Sequence, residues 1–254
     1  MKKKEVIIFG ASGGLGIQLV RVYLDNNYKV ICICSNKKKL EYLKKKIIHL
    51  NYCEFKICDL SKKLDVSKIK KFIKNNSTNI DLIIFASATL TVSKFSEMPI
   101  KSFNNDIQIN ALSFIDIFRE FIKSKKKTIV NAIIILSNTS IIGIKNFSSY
   151  CISKSILESF VESIRGEINN CNLLLVYPGP MKTNFDNNAK IINKNFNYKL
   201  NSKRSSPRGV AEKIFKYNSL KKRYLFLKFN TRMLYLIKGL SPLFLSKIIN
   251  YIYK

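Results

Sequence analysis

Short apolar runs alternate regularly with segments of helical periodicity along this chain, and that alternation constrains the fold more than any other feature. The runs read EVIIFG, KVICICS, EFKICD, DLIIFAS, AIIILS and NLLLVYPG. Runs of this length are typical of strands buried on both faces. Helical periods lie between them at residues 15–26, 37–50, 66–75, 103–123 and 148–169. Repeated strand–helix–strand units predict an α/β class fold with a doubly wound parallel sheet.

The length of the chain fits one such domain. It has 254 residues, of which 46% are hydrophobic, and no Pro-, Gly- or Ser-rich linker divides it. We predict one domain built from residues 1–218, completed by residues 219–254 as the last strand and a basic amphipathic C-terminal helical extension. The Asn-rich stretch 184–207 is interpreted as a long loop or mobile lid.

Composition favours a protein of the cytoplasm. No apolar run reaches the length of a membrane-spanning helix, and the run at residues 6–9 is too short for a signal peptide. Cys32 and Cys34 alternate within one predicted strand, so the cysteines are expected to be reduced thiols. His49 is the only histidine, which argues against a His-based triad and against a metal site.

The formal net charge of +29 has two interpretations. Basic proteins bind nucleic acids, but the lysines here are spread along the chain together with many Asn, Ile, Tyr and Phe residues. That mixture is typical of a coding bias toward adenine and thymine. Because no nucleic-acid-binding module is recognisable, we expect no specific nucleic-acid partner.

A glycine-rich turn follows the first predicted strand and opens the first predicted helix. Glycines permit a tight turn, and backbone N–H groups at a helix start bind phosphates. The position of this turn at the start of an α/β chain predicts dinucleotide binding. The predicted contacts are Gly10, Ser12, Gly13, Gly14, Leu15 and Gly16.

The segment YCISK places Tyr150 and Lys154 on one face of a predicted helix. One interpretation is an ordinary solvated helix face. The other is a phenol held beside a cation, which favours the phenolate and allows the phenol to exchange a proton near neutral pH.

The G-x-x-x-G-x-G spacing followed by Tyr-x-x-x-Lys resembles the short-chain dehydrogenase/reductase (SDR) family over residues 4–183. The resemblance implies a Rossmann fold and a catalytic set of Asn110, Ser137, Tyr150 and Lys154. Ser137 would hydrogen-bond the substrate carbonyl oxygen, Lys154 would also bind the nicotinamide ribose, and Asn110 would hold a water. It also implies that Asp59 and Leu60 contact the adenine, and that Pro178, Gly179 and Thr183 contact the cofactor.

Structural roles remain open for these residues. Ser137 could cap the end of a strand, with Ser140 as a nearby competitor, and Asn110 could be an ordinary polar residue of a helix. All of the residues would then have to fall at the family spacing by chance.

The end of the second predicted strand favours NADP(H), with NAD(H) still possible. Ser35, Asn36 and Lys37 stand where an acidic residue would select NAD, and they suit a 2′-phosphate. The alternative is that these lysines only reflect the excess of lysine along the whole chain.

Two positions depart from the family pattern. Phe9 replaces a threonine before the first glycine, and FASA replaces Asn-Asn-Ala-Gly after the fourth strand. Ala86 and Ser87 are still predicted cofactor contacts. These changes motivate an alternative function, a cofactor-binding scaffold or sensor without catalysis.

The C-terminal tail is basic and has no Asp or Glu after Glu212. A near-helical period in it, with nearby lysines, predicts peripheral contact with the inner face of a membrane, or packing on this domain or on a second subunit. The positions are Leu243, Phe244, Ile248, Ile249 and Ile252, with Lys247 and Lys254. The resemblance implies a homo-oligomer built on residues 103–123 and 148–169.

Taken together, these patterns predict an NADP(H)-dependent oxidoreductase that interconverts a small-molecule carbonyl and a secondary alcohol. Membrane contact would extend the substrate range to lipid-linked or fatty acyl ketones.

Overall fold

The computed structural model describes residues 3–125, 128–168, 170–192, 204–241 and 243–244. Its central sheet consists of Glu5–Phe9 (β1), Lys29–Cys34 (β2), Cys53–Ile57 (β3), Ile80–Phe85 (β4), Val130–Ile135 (β6), Cys171–Tyr177 (β7) and Tyr224–Phe226 (β9). All pairings are parallel, in the order β3-β2-β1-β4-β6-β7-β9. Two short strands, Thr91–Val92 (β5) and Lys190–Ile191 (β8), pair separately. The predicted doubly wound parallel fold is confirmed.

Helices cover both faces of the sheet. They span Gly14–Asp25 (α1), Lys37–Lys44 (α2), Lys63–Asn76 (α3), Ile100–Ile107 (α4), Ser113–Ser124 (α5), Ser148–Arg165 (α6), Pro207–Ser219 (α7) and Phe229–Leu240 (α8). Alternate residues of β1 face opposite cores: Val6 packs with α1, α2 and α7, whereas Ile7 packs with α3, α5 and α6. This two-sided burial explains why the strands have continuous apolar sequences.

Two predicted elements differ from the structure. The run EFKICD was expected to be buried on both faces, but β3 is half-buried and Ile57 is 47% exposed. The reason is that β3 is the outermost strand and has a neighbour on one side only. The helix predicted at residues 37–50 ends at Lys44. Beyond that end, the Arg21 Nη2 donates a hydrogen bond to the Lys46 carbonyl at 2.7 Å.

The predicted helix at 103–123 is α4 and α5 joined by a π-helical turn at Gln108–Leu112. The predicted helix at 148–169 ends at Arg165. The seventh strand expected within KKRYLFLKF is β9, which belongs to the same sheet, and the division of the chain at residue 218 stays a prediction.

The carboxyl ends of β1, β4, β6 and β7 open on the same edge of the sheet, where ligands of doubly wound folds bind. The β5–β8 pair lies beyond β4, because β5 follows the loop after that strand. Within the stretch 184–207 that was interpreted as a loop or lid, residues 193–203 lie outside the described residues. No helix in the described part of the chain is long and apolar enough to span a bilayer.

Candidate active site

The predicted glycine turn lies at the carboxyl end of β1 and lines a cavity of about 1170 Å³. Gly10 has a φ of 77°, and a Cβ on it would lie 2.8 Å from the backbone of Ala86 and Ser87. A Cβ on Gly16 would lie 2.1 Å from the Gly10 carbonyl oxygen. Both positions therefore require glycine, because a side chain on Gly10 would collide with the loop after β4 and a side chain on Gly16 would collide with the turn itself.

The start of α1 suits an anion. Gly13 is its N-cap residue, no side chain caps it, and its first turn holds no acidic residue. Gly13, Gly14, Leu15 and Gly16 all line the cavity, together with Ser12. Unpaired N–H groups and the positive end of the helix dipole favour a phosphate at such a helix start. Thr183 closes this end, since a Cβ on Gly14 would lie 2.6 Å from its Cγ2.

The residues predicted to contact the adenine end of a cofactor follow β2 and β3. Ser35, Asn36, Asp59 and Leu60 all line the cavity. The Asn36 Oδ1 also accepts a hydrogen bond from the Lys39 backbone N–H at 2.9 Å, which caps α2.

Lys37 was predicted to contact the cofactor, but it is not among the described residues that line the cavity, whereas Lys39 is. Lys37 is the first residue of α2, and Lys39 lies on the side of that first turn facing the cavity. Tyr42 and Lys62 also line this end and were missed by the sequence analysis.

Tyr150 and Lys154 lie on α6, one turn apart, and both line the cavity. The Lys154 Nζ is 5.7 Å from the centroid of the Tyr150 ring and donates a hydrogen bond to the Ile135 carbonyl at 2.9 Å. Burial lowers the pKa of Lys154 to about 7, because its side chain is 2% exposed and desolvation disfavours the ammonium. The Tyr150 ring also packs against Phe185, with centroids 5.8 Å apart.

Ser137 follows β6 and lines the cavity, whereas its competitor Ser140 does not. The Ser137 Oγ accepts a hydrogen bond from the Thr139 N–H at 3.3 Å, so the predicted capping role also applies. Ser140 is 2% exposed, and its hydroxyl donates to the Ser137 carbonyl at 2.9 Å. Of the two serines, Ser137 is therefore the one whose residue lines the cavity.

Asn110 is fully buried in the π-helical turn behind the cavity wall and does not line the cavity. Its Oδ1 accepts hydrogen bonds from the Thr89 N–H at 2.7 Å and the Thr89 hydroxyl at 3.3 Å. Its Nδ2 donates to the Thr89 carbonyl at 2.9 Å and to the Ser153 hydroxyl at 3.1 Å. These bonds use the amide's capacity, so its side chain ties the β4 loop to α6 rather than presenting a free group to a water.

Asp106 is a site residue that the sequence analysis missed. It is 2% exposed and lines the cavity. Its carboxylate accepts hydrogen bonds from the Thr89 hydroxyl at 2.8 Å, the Thr91 N–H at 3.1 Å and the Ser149 hydroxyl at 2.7 Å. Within the described residues it forms no ion pair, so these bonds stabilise its buried charge. Asp106 and Asn110 stand four residues apart, and two polar residues on one helix face are the signal that could have identified this network.

The replacement of the family's polar pair leaves the backbone connection between β1 and β4 intact. The Ala86 N–H donates to the Phe9 carbonyl at 3.0 Å. The rings of Phe9 and Phe85 pack with centroids 6.2 Å apart, and both are fully buried. Ala86 and Ser87 still line the cavity beside Gly10, and Pro178 and Gly179 line it after β7.

Beyond Tyr150 the cavity has an apolar inner wall and a polar rim. The wall is formed by buried or half-buried side chains, Leu90, Ile142, Ile144, Phe147, Phe185 and Leu234. The rim carries exposed polar side chains, Asn105, Asn184, Asn188 and Lys190. The described residues contain no cluster of three or more His, Cys, Asp or Glu side chains placed to bind a metal.

Comparison with known proteins agrees with this geometry. The sequence profile of the short chain dehydrogenase family matches residues 4–192. The chain is 25% identical over 199 residues to the dehydrogenase/reductase SDR family protein 7-like of Dictyostelium discoideum, covering 75% of this chain and 63% of that protein. It is also 25% identical over 207 residues to the enoyl-[acyl-carrier-protein] reductase [NADH] FabI of Buchnera aphidicola. That match covers 76% of this chain and 78% of that protein.

Solved structures share the fold. A short chain dehydrogenase from Burkholderia cenocepacia J2315 in complex with NADP has a TM-score of 0.79 at 15% identity, covering 98% of both chains. A short-chain dehydrogenase from Sphingobium yanoikuyae in complex with NADPH has a TM-score of 0.78 at 14% identity, covering 95% of both chains. The profile match together with the glycine turn and the Tyr150–Lys154 pair leads to one conclusion. This chain belongs to the short-chain dehydrogenase family.

Proposed function

We propose that this chain is an NADP(H)-dependent oxidoreductase that interconverts a small-molecule carbonyl and a secondary alcohol, with Tyr150 as the proton donor and acceptor. One observation carries the proposal. A single cavity joins the glycine turn and the start of α1 to Ser137, Tyr150 and Lys154. A scaffold that only bound a nucleotide would need the first half of this cavity and not the second.

The residues that line the cavity fit a dinucleotide. The uncapped start of α1 would hold the pyrophosphate, and Asp59 with Leu60 would border the adenine. Ala86, Ser87, Pro178, Gly179 and Thr183 line the remaining length. When bound, a nicotinamide cofactor supplies or accepts the electron pair that the substrate carbon exchanges.

The proton chemistry belongs to Tyr150, Lys154 and Ser137. In the reducing direction the Tyr150 hydroxyl gives its proton to the substrate oxygen, and the Ser137 hydroxyl donates a hydrogen bond to that same oxygen as charge develops on it. The Lys154 ammonium stabilises the phenolate that Tyr150 becomes. Because burial lowers the Lys154 pKa to about 7, this ammonium exchanges its own proton readily near neutral pH.

Preference for NADP(H) is supported by the end of β2, where Ser35 and Lys39 line the cavity and no carboxylate does. Bound NADP and NADPH in two solved relatives agree with it, whereas a curated relative is named for NADH. Lys39→Ala should weaken NADPH binding several-fold and leave NADH binding unchanged, with Lys37→Ala as the matched control. Equal losses for both cofactors in a fluorescence titration would contradict the preference.

The substrate end favours a carbonyl attached to an apolar body. A bulky apolar group would cover the wall formed by Ile142, Phe147 and Phe185, among others, while rim groups such as Asn188 stay hydrated. Asp186, which lines the cavity, forms an ion pair with Arg204 at 2.8 Å.

A homo-oligomer and a location in the cytoplasm complete the proposal. The expected subunit contact involves α5 and α6, and exposed apolar side chains in this region, Leu112 at 45% and Ile152 at 41%, support it. The scaffold alternative rests on Phe9 and Ala86, but the Phe9–Ala86 backbone bond is kept there.

The test is Tyr150→Phe. It removes the hydroxyl and keeps the ring contact with Phe185, so NADPH binding should stay within about twofold while turnover of a carbonyl panel falls by about 100-fold or more. Turnover at the wild-type rate in this variant would rule out the assigned mechanism. Full NADPH binding without turnover in the wild type, across the panel, would favour the scaffold.

A further inference from the structure

The last described helix presents its apolar face to solvent. On α8, Phe229 is 73% exposed, Met233 38%, Leu236 48% and Leu240 87%. At about 100° per residue, these four positions fall within an arc of about 60°. Leu243 and Phe244 follow, at 79% and 57% exposure. We call the set Phe229, Met233, Leu236, Leu240, Leu243 and Phe244 the apolar stripe.

The opposite face of α8 is fixed to the domain. Thr231 is 1% exposed, and its hydroxyl donates to the Asn138 Oδ1 at 3.1 Å. Lys238 donates through its Nζ to the Ser140 carbonyl at 3.2 Å. Tyr235 packs against Phe226, with ring centroids 5.1 Å apart, and Leu234 lines the cavity. The helix is therefore held with its apolar stripe outward, which is the reverse of an ordinary surface helix.

The positive charge around the apolar stripe favours an anionic partner. No Asp or Glu follows Glu212 in the sequence, and Arg232 is exposed beside the apolar stripe. The whole chain carries a formal charge of +29. An outward apolar face flanked by cations and lacking anions fits the interface of an anionic bilayer, where apolar side chains enter the acyl boundary and cations stay at the headgroups.

We propose that the apolar stripe of α8 binds the surface of an anionic membrane as a peripheral contact. This proposal does not depend on the catalytic assignment, since it concerns the outer face of the helix alone. It has one consequence for the cavity: Leu234 on the inner face would bring the apolar substrate end close to the lipid. The predicted contact through Ile248, Ile249, Ile252, Lys247 and Lys254 lies outside the described residues.

The experiment measures partition of the full chain onto vesicles by flotation. The vesicles are phosphatidylcholine alone, or phosphatidylcholine with phosphatidylglycerol. The test variant is Leu236→Glu with Leu240→Glu. The matched control is Ile48→Glu with Leu64→Glu, which makes the same change in charge elsewhere on the surface, where Ile48 is 87% exposed and Leu64 is 77% exposed. Thermal melting checks that both variants fold, and light scattering reports their oligomeric state.

We expect the wild-type chain to bind the anionic vesicles more tightly than the neutral ones. The affinity of the test variant for anionic vesicles should fall by about tenfold for each leucine replaced, because each replacement removes apolar area that the membrane would bury. The affinity of the control should stay within about threefold of the wild-type value. Equal losses in both variants would show unspecific charge attraction and overturn the proposal. So would a folded wild-type chain that binds no vesicles, or a test variant whose only change is dissociation of a dimer, since a second copy would then cover the stripe.

Discussion

The two walls of the cavity hold their polar side chains in different ways. On the α6 wall, Lys154 is buried and donates to one backbone carbonyl. On the other wall, the Asp106 carboxylate of α4 accepts bonds from two hydroxyls and one N–H. Asn110 lies behind that wall, and its amide is fully hydrogen-bonded. The first wall therefore holds a buried cation with one hydrogen-bond acceptor, whereas Asp106 and Asn110 are each held by several hydrogen bonds. This difference fits the proposal that the first wall carries the proton chemistry and that the second supports its geometry.

The largest effect is expected at Lys154. Lys154→Met removes the ammonium that stabilises the Tyr150 phenolate and should lower kcat by about 100-fold or more. Steady-state turnover of the best carbonyl substrate measures it. A loss smaller than that of Asp106→Asn would reverse the comparison of the two walls.

The same substitution should stabilise the protein in a pH-dependent way. The folded Lys154 pKa of about 7 lies below the value of about 10.4 for a free lysine. The free-energy cost of burying the charge is therefore fully present below pH 7 and disappears as the pH rises from about 7 to about 10.4. Lys154→Met should therefore raise the Tm of the cofactor-free protein by several degrees at pH 6. The gain should shrink steadily toward pH 10, and a gain that is independent of pH would contradict the lowered pKa.

A smaller effect is expected at Asp106, a positioning residue. Asp106→Asn replaces one acceptor oxygen with an amide donor that faces donors, so the Thr89–Ser149 connection loosens beside Tyr150. We expect kcat to fall by about tenfold, since small displacements near reacting groups are costly, while the Kd for NADPH stays within about twofold. Asp116→Asn on α5, whose carboxylate pairs with Lys70 at the surface, is the matched control. Equal changes in kcat and Tm for both variants would remove the positioning role.

The smallest effect is expected at Thr89. Thr89→Val keeps the shape and the backbone bonds to Asn110. It removes the hydroxyl, which bonds Asp106 at 2.8 Å and Asn110 at the longer distance of 3.3 Å, so kcat should fall by about two- to threefold. Combined with Asp106→Asn, it should add almost nothing, because both variants break the same bond. Additive losses in this double-mutant cycle would mean that the two residues act separately.

The order of strands and helices along the chain and the residues of the first wall could be predicted, because short stretches of sequence determine both. The glycine turn, Ser137 and the Tyr150–Lys154 pair follow strands that the apolar runs identify. The hydrogen bonds of the second wall could not be predicted, because the partners of Asp106 lie 15 to 43 residues away in the sequence. The prediction named Lys37 and did not consider Lys39, which lines the cavity, because a sequence does not show which side of the first turn of α2 faces the cavity.

The position of a strand at the edge of the sheet could not be predicted from the sequence either. EFKICD has the composition of a buried strand, and only the strand order shows that β3 is outermost. The Arg21 contact with Lys46, just beyond the end of α2, also joins residues 25 positions apart and is not visible in the sequence.

The most direct test of the central claim is a fluorescence titration of the purified chain, and of Tyr150→Phe, with NADPH and with NADH. We predict saturable binding of NADPH to both proteins, tighter than that of NADH, because the cavity would hold the cofactor independently of the Tyr150 hydroxyl. A folded wild-type chain that binds neither cofactor would show that the cavity is not a nicotinamide site, and the roles assigned to both walls would fall with it.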